Sequence, residues 1–166
     1  MKKLFVILAF ALAACGGRPA DNGAKGSLTG TPEDREGLKR TTTAIRDAFA
    51  RGDIDAILTL HHPEVVKYFG GTNVMKGREE MRKQLTSWLR NNRVEFVENT
   101  VESTVFNGET AIETSIFEIR NVPRNGDSAT VGRGRSMVVY VKYPQSPTGW
   151  ASIREIVQEA PPKSNR

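Results

Sequence analysis

The only two histidines of the chain, His61 and His62, stand side by side within Leu58–Gly71. A histidine can act as an acid, a base or a metal ligand near neutral pH. Helical spacing puts His61 on an apolar face with Ile54 and Ile57, whereas His62 lies about 100° round the helix from it. His61 is therefore the candidate for acid–base chemistry or ligand binding. The alternative is a histidine that ends a helix and hydrogen-bonds a backbone carbonyl.

The sequence contains too few candidate ligands for a metal site. Adjacent histidines on a helix point in different directions, no third histidine is present, and the single cysteine, Cys15, belongs to the N-terminal segment. A zinc site would need two carboxylates close to the histidines. No Ser-His-Asp arrangement, phosphate-binding loop or cofactor fingerprint can be read from the residues. We expect neither a metal nor a cofactor.

Several other side chains could bind a ligand or take part in its chemistry. Tyr68, at the end of the predicted strand EVVKYF, is the best candidate for a reactive hydroxyl. Arg135 and Arg154 could hold a carboxylate, with solvated or paired arginines as the alternative. Trp88 could contact a ligand or fill the core. The candidate ligand-binding residues are His61, Tyr68, Trp88, Arg135, Met137 and Arg154, and the candidates for catalysis are His61 and Tyr68.

The N-terminal segment MKKLFVILAFALAACGG has two lysines, an apolar stretch and small residues before a cysteine, which is the pattern of an export signal. The apolar stretch is too short to span a bilayer as a mature helix. Leu12-Ala13-Ala14-Cys15 resembles the bacterial lipobox, which implies a signal peptide over 1–14 and a lipidated Cys15. Acyl chains such as palmitate would anchor this lipoprotein to a membrane. Gly16, in place of an aspartate, favours the outer membrane, facing the periplasm.

Charge and composition indicate one domain without a nucleic-acid partner. Loss of Lys2 and Lys3 with the signal leaves 22 basic against 19 acidic side chains, so the net charge falls from +5 to about +3. This excess is too small to predict nucleic-acid binding. Residues 15–32 are rich in Gly and small polar residues and indicate a flexible tether. Residues 33–158 are enough for one domain, and 159–166 indicate a disordered tail.

Hydrophobic spacing predicts three helices and then strands. A helix over Pro32–Arg51 ends at Gly52, and Asp53 caps a second, short helix that stops before Pro63. The turn GGTNVMKG leads into a third helix, whose apolar face carries Met81, Leu85, Trp88 and Leu89. The remaining chain indicates an antiparallel meander of about four strands, with Asn-Gly turns at 107–108 and 125–126.

The Asn-Gly turns also predict a strand register. Two-residue loops would place Phe106 opposite Glu109 and Arg124 opposite Asp127. The helices would then cover the apolar sheet face formed by Val97, Val101, Val105, Ile112, Thr114, Ile116, Met137, Val139 and Val141. The other face, partly exposed or in a dimer contact, would carry Phe96, Phe117, Ile119, Val138 and Tyr140. The cross-strand pairs would be Glu118 with Arg133, Glu95 with Arg120, Glu102 with Glu113, and Ile116 with Arg135.

The segments GDIDAILTLHHPEVV and KGREEM, followed by a terminal strand that begins GW, together resemble the nuclear transport factor 2-like superfamily, in particular its polyketide cyclase SnoaL-like branch. The resemblance covers 33–158. It implies an α+β cone-shaped fold in which three N-terminal helices pack on a curved, mostly antiparallel sheet around an interior pocket. Members often form dimers through the sheet, which implies a homodimer here.

The same resemblance bears on function. The isomerases of this superfamily use a carboxylate base and an oxyanion hole made by a tyrosine and a protonated aspartic acid. Their pattern puts Ile45 at the tyrosine, Phe69 at the base and approximately Val139 at the second donor. We therefore expect a non-catalytic protein that binds a small apolar ligand or serves as a dimeric envelope module. The alternatives are an isomerase, cyclase or dehydratase with altered residues acting on a hydrophobic substrate, and a protein-interaction module.

Overall fold

The computed structural model describes residues 28–161. The signal peptide (1–14), the lipidation site Cys15, most of the tether and the end of the tail lie outside the described residues, so these predictions stay predictions. The elements are α1 (Pro32–Arg51), α2 (Ile54–Thr59), β1 (His61–Phe69), β2 (Asn73–Lys76), α3 (Gly77–Asn91), β3 (Asn92–Asn107), β4 (Thr110–Pro123), β5 (Thr130–Lys142) and β6 (Trp150–Glu159).

One six-stranded sheet has the order β2-β1-β6-β5-β4-β3. Every neighbouring pair is antiparallel except β1 and β6, which run parallel. The curved sheet packs against the three helices, which confirms the predicted α+β cone. The short strand β2 is an addition, because its segment was predicted to be only a turn.

Local signals explain the helix ends. Thr31 and Asp34 form a capping box at the start of α1, and Gly52 ends the helix in a left-handed conformation at φ 70°. The Asp53 side chain accepts a hydrogen bond from the Ala56 amide at the start of α2. The predicted position of His61 on this second helix is wrong, because α2 ends at Thr59 and His61 begins β1.

The predicted register is confirmed for every residue pair between β4 and β5. The predicted opposition of Arg124 and Asp127 is wrong, because β4 ends at Pro123 and β5 begins at Thr130. Arg133 lies opposite Glu118, and Arg135 lies opposite Ile116. In the first hairpin Asn107 pairs with Thr110, so the loop is Gly108-Glu109 and not Asn107-Gly108.

Two irregularities in β3, between Phe96 and Glu98 and between Val101 and Ser103, then shift the β3–β4 pairing. Glu95 lies opposite Arg120 as predicted. The predicted opposition of Glu102 and Glu113 is wrong, because Thr104 faces Glu113.

The predicted assignment of the two sheet faces is reversed in the structure. We call the face that packs on the helices the inner face and its opposite the outer face. Val138 and Tyr140 are buried on the inner face, in one cluster with Leu38 of α1. Several residues predicted to lie under the helices are exposed on the outer face instead: Val97, Val101, Val105, Ile112 and Met137. The reversal arises because the inner face also carries polar side chains. The outer face therefore has more apolar residues, and the sequence pattern favours it as the core face.

Two clusters of buried side chains form the core. The larger one joins the helices to β1, β2 and β3 and contains Ala48, Ile57, Leu58, Val65, Met75, Met81, Leu85, Leu89 and Val94. The smaller one packs Leu38 against Trp150 and Phe106, whose rings meet edge to face at 6.0 Å. The space between the two clusters is where the candidate site lies.

Gly134 of β5 provides a test of this packing. A Cβ at Gly134 would lie 2.6 Å from Cζ of Phe117, whereas a Cβ at Gly132 would meet only Cγ1 of Ile119 at 3.8 Å. We expect Gly134→Ala to lower the free energy of unfolding by about 1–3 kcal/mol. The matched Gly132→Ala should leave it unchanged or raise it by up to about 1 kcal/mol. Urea unfolding measures both, and equal effects of the two substitutions would contradict the predicted contact.

Candidate functional site

A cavity of about 750 Å³ lies between the helices and the inner face of the sheet. Its wall is mainly apolar and aromatic. Phe49 of α1 contacts Trp88 of α3 and Phe96 of β3, with ring centroids 6.2 Å and 6.4 Å apart. The predicted pocket residues Ile45 and Phe69 also line this wall. Such a surface suits an apolar molecule.

Alternation along the strands brings polar side chains to one part of the inner face. Successive strand residues point to opposite faces, so cross-strand neighbours form rows. The first row holds Tyr140, Ser152 and His61, which are paired from β5 to β6 to β1. All three side chains line the cavity.

A second row runs beside the first. Glu113 of β4 lies opposite Val138, Val138 lies opposite Glu155, and Glu155 lies opposite Lys67. Beyond this row, Ser115 and Ser136 face each other with their hydroxyl oxygens 3.1 Å apart. The inner face therefore gives an apolar cavity one polar wall.

His61 is fully buried at the junction of α2 and β1. Its Nδ1 lies 2.6 Å from the carbonyl oxygen of Ile57. A carbonyl can only accept, so Nδ1 carries the proton and Nε2 is left as an acceptor. Burial holds the pKa of His61 well below its usual value, and the charges of Lys67 and Arg78 lower it further. The ring is therefore neutral at pH 7.

Lys67 and Glu155 form an ion pair on the same wall. The Lys67 Nζ and a Glu155 carboxylate oxygen are 2.5 Å apart, and the side chains are only 8% and 16% exposed. Pairing offsets part of the cost of removing both charges from water. The charge of Lys67 is consequently balanced by Glu155, and Lys67 does not present a free cation to a ligand.

Glu113 and Tyr140 have environments that alter their protonation. Burial raises the pKa of the Glu113 carboxyl, and the nearby Arg46 partly opposes this effect. Burial also raises the pKa of the Tyr140 hydroxyl well above its usual value, and the charges of Glu113 and Glu155 add to that. Tyr140 therefore remains a proton donor at neutral pH, and Glu113 is a group that can gain or lose a proton closer to neutrality.

Four of the six predicted ligand-binding residues lie away from the cavity, on the outer face. Tyr68 is 40% exposed and Met137 is 48% exposed. Arg135 forms a two-point ion pair with Glu102, with distances of 2.9 Å and 3.0 Å. Arg154 donates to the carbonyl of Glu64. The prediction placed these four side chains in the pocket. That placement is wrong, because the alternation along each strand directs them to the outer face.

His61 and Trp88 do line the cavity, and their role in binding stays a prediction. Val139 does not lie in the cavity wall, since its neighbours Val138 and Tyr140 occupy that side of β5. The residues that sequence reasoning missed are Lys67, Glu113, Tyr140, Ser152 and Glu155. The signal for Glu113 and Tyr140 was the alternation of β4 and β5, whose faces were exchanged in the prediction. Lys67, Ser152 and Glu155 lie on β1 and β6, to which the predicted register assigned no face.

Within 28–161, no group of three or more His, Cys, Asp or Glu side chains is placed to hold a metal ion. No helix in that same range is long and apolar enough to cross a membrane.

Comparison with known proteins gives a family and a set of similar folds. A family model described as a SnoaL-like domain matches residues 42–143. The comparison with curated proteins returns no match. A conserved protein from Planctomyces limnophilus has a similar structure, with a TM-score of 0.68 and 19% identity over 76% of this chain and 98% of that chain.

Two further structures have the same fold. A protein provisionally described as a dehydratase of the NTF2-like family from Streptomyces avermitilis has a TM-score of 0.65 and 22% identity, over 78% of this chain and 99% of that chain. The CaMKII hub of S. rosetta has a TM-score of 0.59 and 21% identity, over 75% of this chain and 95% of that chain. At these identities the likeness shows the fold alone.

Proposed function

The chain belongs to the SnoaL-like domain family, and we propose that its cavity binds a small, largely apolar ligand within the bacterial cell envelope. The observation that carries this proposal is the cavity itself. Its volume of about 750 Å³ falls within the range of small-molecule sites, about 300–1,000 Å³. Aromatic walls with a few converging polar groups are the composition such sites usually have.

The absence of the catalytic groups that the isomerases use favours ligand binding over isomerase catalysis. Ile45 and Phe69 line the cavity wall, and the isomerase pattern calls for a tyrosine hydroxyl and a carboxylate at these two positions. Hydrocarbons can neither abstract a proton nor stabilise an oxyanion. The same replacements make the wall more apolar, which favours the burial of a hydrophobic molecule.

The lipid anchor is the second part of the proposal. The Leu12–Cys15 lipobox pattern and the Gly-rich residues that follow it support a protein held at the membrane through Cys15 and a tether. Gly16 favours the outer membrane, facing the periplasm. The domain would then meet ligands released from, or passing through, the envelope.

In a homodimer formed through the sheet, the two copies would meet at the outer face and not at the face predicted from the sequence. The residues first assigned to a dimer contact or an interaction surface, Phe117, Ile119, Val138 and Tyr140, line the cavity. The outer face exposes Val101, Ile112, Met137 and Ile156. A second copy of the chain would cover this apolar surface.

Acid–base catalysis is the second candidate function, and Glu113 favours it. A carboxyl with a raised pKa on the wall of an apolar cavity can transfer protons near neutral pH. Tyr140 could stabilise a developing negative charge beside it. A dehydratase-type reaction on a hydrophobic substrate would use these two groups in place of the missing isomerase residues.

We expect a neutral apolar dye, N-phenyl-1-naphthylamine, to bind the chain produced from Gly16 onward, which retains every described element and leaves out the lipidation site. Val157→Trp, on the cavity wall, should weaken binding about tenfold or more by occupying the space. Ile156→Trp adds the same ring to the outer face and should leave binding unchanged. Fluorescence titration measures both, and equal affinities in the two variants would place the dye outside the cavity.

Replacement of Cys15 tests the anchor. In the bacterial host, Cys15→Ser should abolish incorporation of labelled palmitate and shift the protein out of the detergent-extracted outer-membrane fraction. Retention of the label in this variant would contradict lipidation at Cys15.

Glu113→Gln tests the enzyme candidate. A suitable substrate is 4-hydroxy-4-phenylbutan-2-one, whose loss of water gives an enone that absorbs in the near ultraviolet. If the candidate is correct, Glu113→Gln lowers turnover about 100-fold or more, whereas Glu102→Gln on the outer face does not. No turnover by the unaltered chain across a panel of β-hydroxy ketones would reject it.

A further inference from the structure

Three polar atoms in the cavity wall have no hydrogen-bond partner among residues 28–161. One of them, Nε of Arg133, lies 3.8 Å from a Glu118 carboxylate oxygen in an ion pair. The other two are Nε2 of His61 and Oγ of Ser152, whose residues are 0% and 1% exposed. Buried polar atoms in native proteins are nearly always paired, so unpaired ones require an explanation. Here both side chains line the same cavity, and a molecule within it is the available partner.

The two side chains are neighbours in the sheet. His61 and Ser152 are partners across the parallel β1–β6 pair, and the Ser152 amide donates to the Leu60 carbonyl at 3.1 Å. Adjacent strands lie about 4.8 Å apart. One ligand group between the two side chains can therefore reach both.

The chemistry of His61 restricts what that group can be. The Ile57 carbonyl fixes the proton on Nδ1, so Nε2 can only accept a hydrogen bond. Ketones, ethers and carboxylates have no hydrogen to donate. An ammonium group would have to leave water for a mainly apolar cavity whose Glu155 carboxylate is already paired with Lys67. A neutral O–H or N–H group remains; the nitrogen of an amide or indole N–H group cannot accept a hydrogen bond in return, whereas the oxygen of an O–H group can.

Ser152 completes the match. Its hydroxyl can donate to the oxygen whose hydrogen is donated to His61, since a serine hydroxyl is both donor and acceptor. A single alcohol or phenol would thus satisfy both unpaired atoms. Neither a purely apolar molecule nor a carbonyl compound would do so.

We propose that His61 and Ser152 form a subsite for a hydroxyl group, so that the ligand of this cavity is a largely apolar alcohol or phenol. The hydroxyl donates to Nε2 of His61 and accepts from Oγ of Ser152, while the apolar body lies against the aromatic wall. This inference rests on the proposed ligand-binding function and adds the chemical class of the ligand.

A matched ligand series tests the subsite. Naphthalene, 2-methoxynaphthalene and 2-naphthol share one ring system and differ in the polar group, and their affinities are measured by calorimetry on the chain from Gly16 onward. We expect 2-naphthol to bind at least tenfold more tightly than the other two. In the ¹⁵N spectrum of the histidine rings, only 2-naphthol should shift the Nε2 resonance of His61 in the direction of a new hydrogen bond.

Two variants and one control follow. His61→Leu should remove the preference for 2-naphthol and keep naphthalene binding, and Ser152→Ala should reduce the preference severalfold. His62→Leu is the control, because its ring lies against Tyr143 at 4.9 Å and outside the cavity wall, so the preference should persist. If His61→Leu does not fold, Ser152→Ala and the ligand series on the unaltered chain still decide the matter.

The outcomes separate the two proposals. Equal binding of all three compounds by the unaltered chain would overturn the hydroxyl subsite, with water as the partner of both atoms, and leave the apolar binding function standing. Absence of binding by any of the three, and by the apolar dye, would overturn both. A preference that survives His61→Leu and Ser152→Ala would also overturn the subsite.

Discussion

The parallel pairing of β1 with β6 is the contact on which the rest of the domain depends. β1 follows the first two helices and β6 is the last strand, so this ladder joins the N-terminal half to the antiparallel meander. It also places His61 beside Ser152 and Lys67 beside Glu155. Parallel strands require a long connection, which here is everything between β1 and β6. The fold and the polar wall of the cavity therefore arise from one pairing.

The polar side chains of the inner face serve the candidate site at the expense of stability. Lys67 and Glu155 are buried as a pair, which well-packed apolar side chains of similar volume could replace at no loss of stability. Glu113 is partly buried at the expense of its charged form, and Nε2 of His61 and Oγ of Ser152 remain unpaired. A sheet selected for packing alone would fill this face with apolar residues. Such departures from good packing are expected where a site is maintained, and they coincide with the cavity.

Local signals in the sequence were sufficient for the helix caps and for the whole β4–β5 register. Gly52 and Asp53 act through contacts within a few residues, which sequence shows directly. The β3 irregularities depend on how the long strand bends, so the opposition of Glu102 and Glu113 could not be foreseen. The two faces were exchanged because the apolar outer face satisfies the usual rule for a core better than the true inner face does. This error moved Arg135 and Met137 into the predicted site and brought in Arg154 as the expected neighbour of Arg135. Tyr68 was placed there because of its position near the end of the short strand.

The central claim is that an apolar cavity with a polar wall lies between the helices and the inner face. A crystal of the chain placed under xenon pressure tests it most directly, because xenon occupies apolar cavities without needing a specific ligand. The account predicts xenon density inside the domain, next to Phe49 and Trp88. Absence of internal xenon, with side chains from α1 and α3 filling the space above Ser136 and Val138, would contradict it.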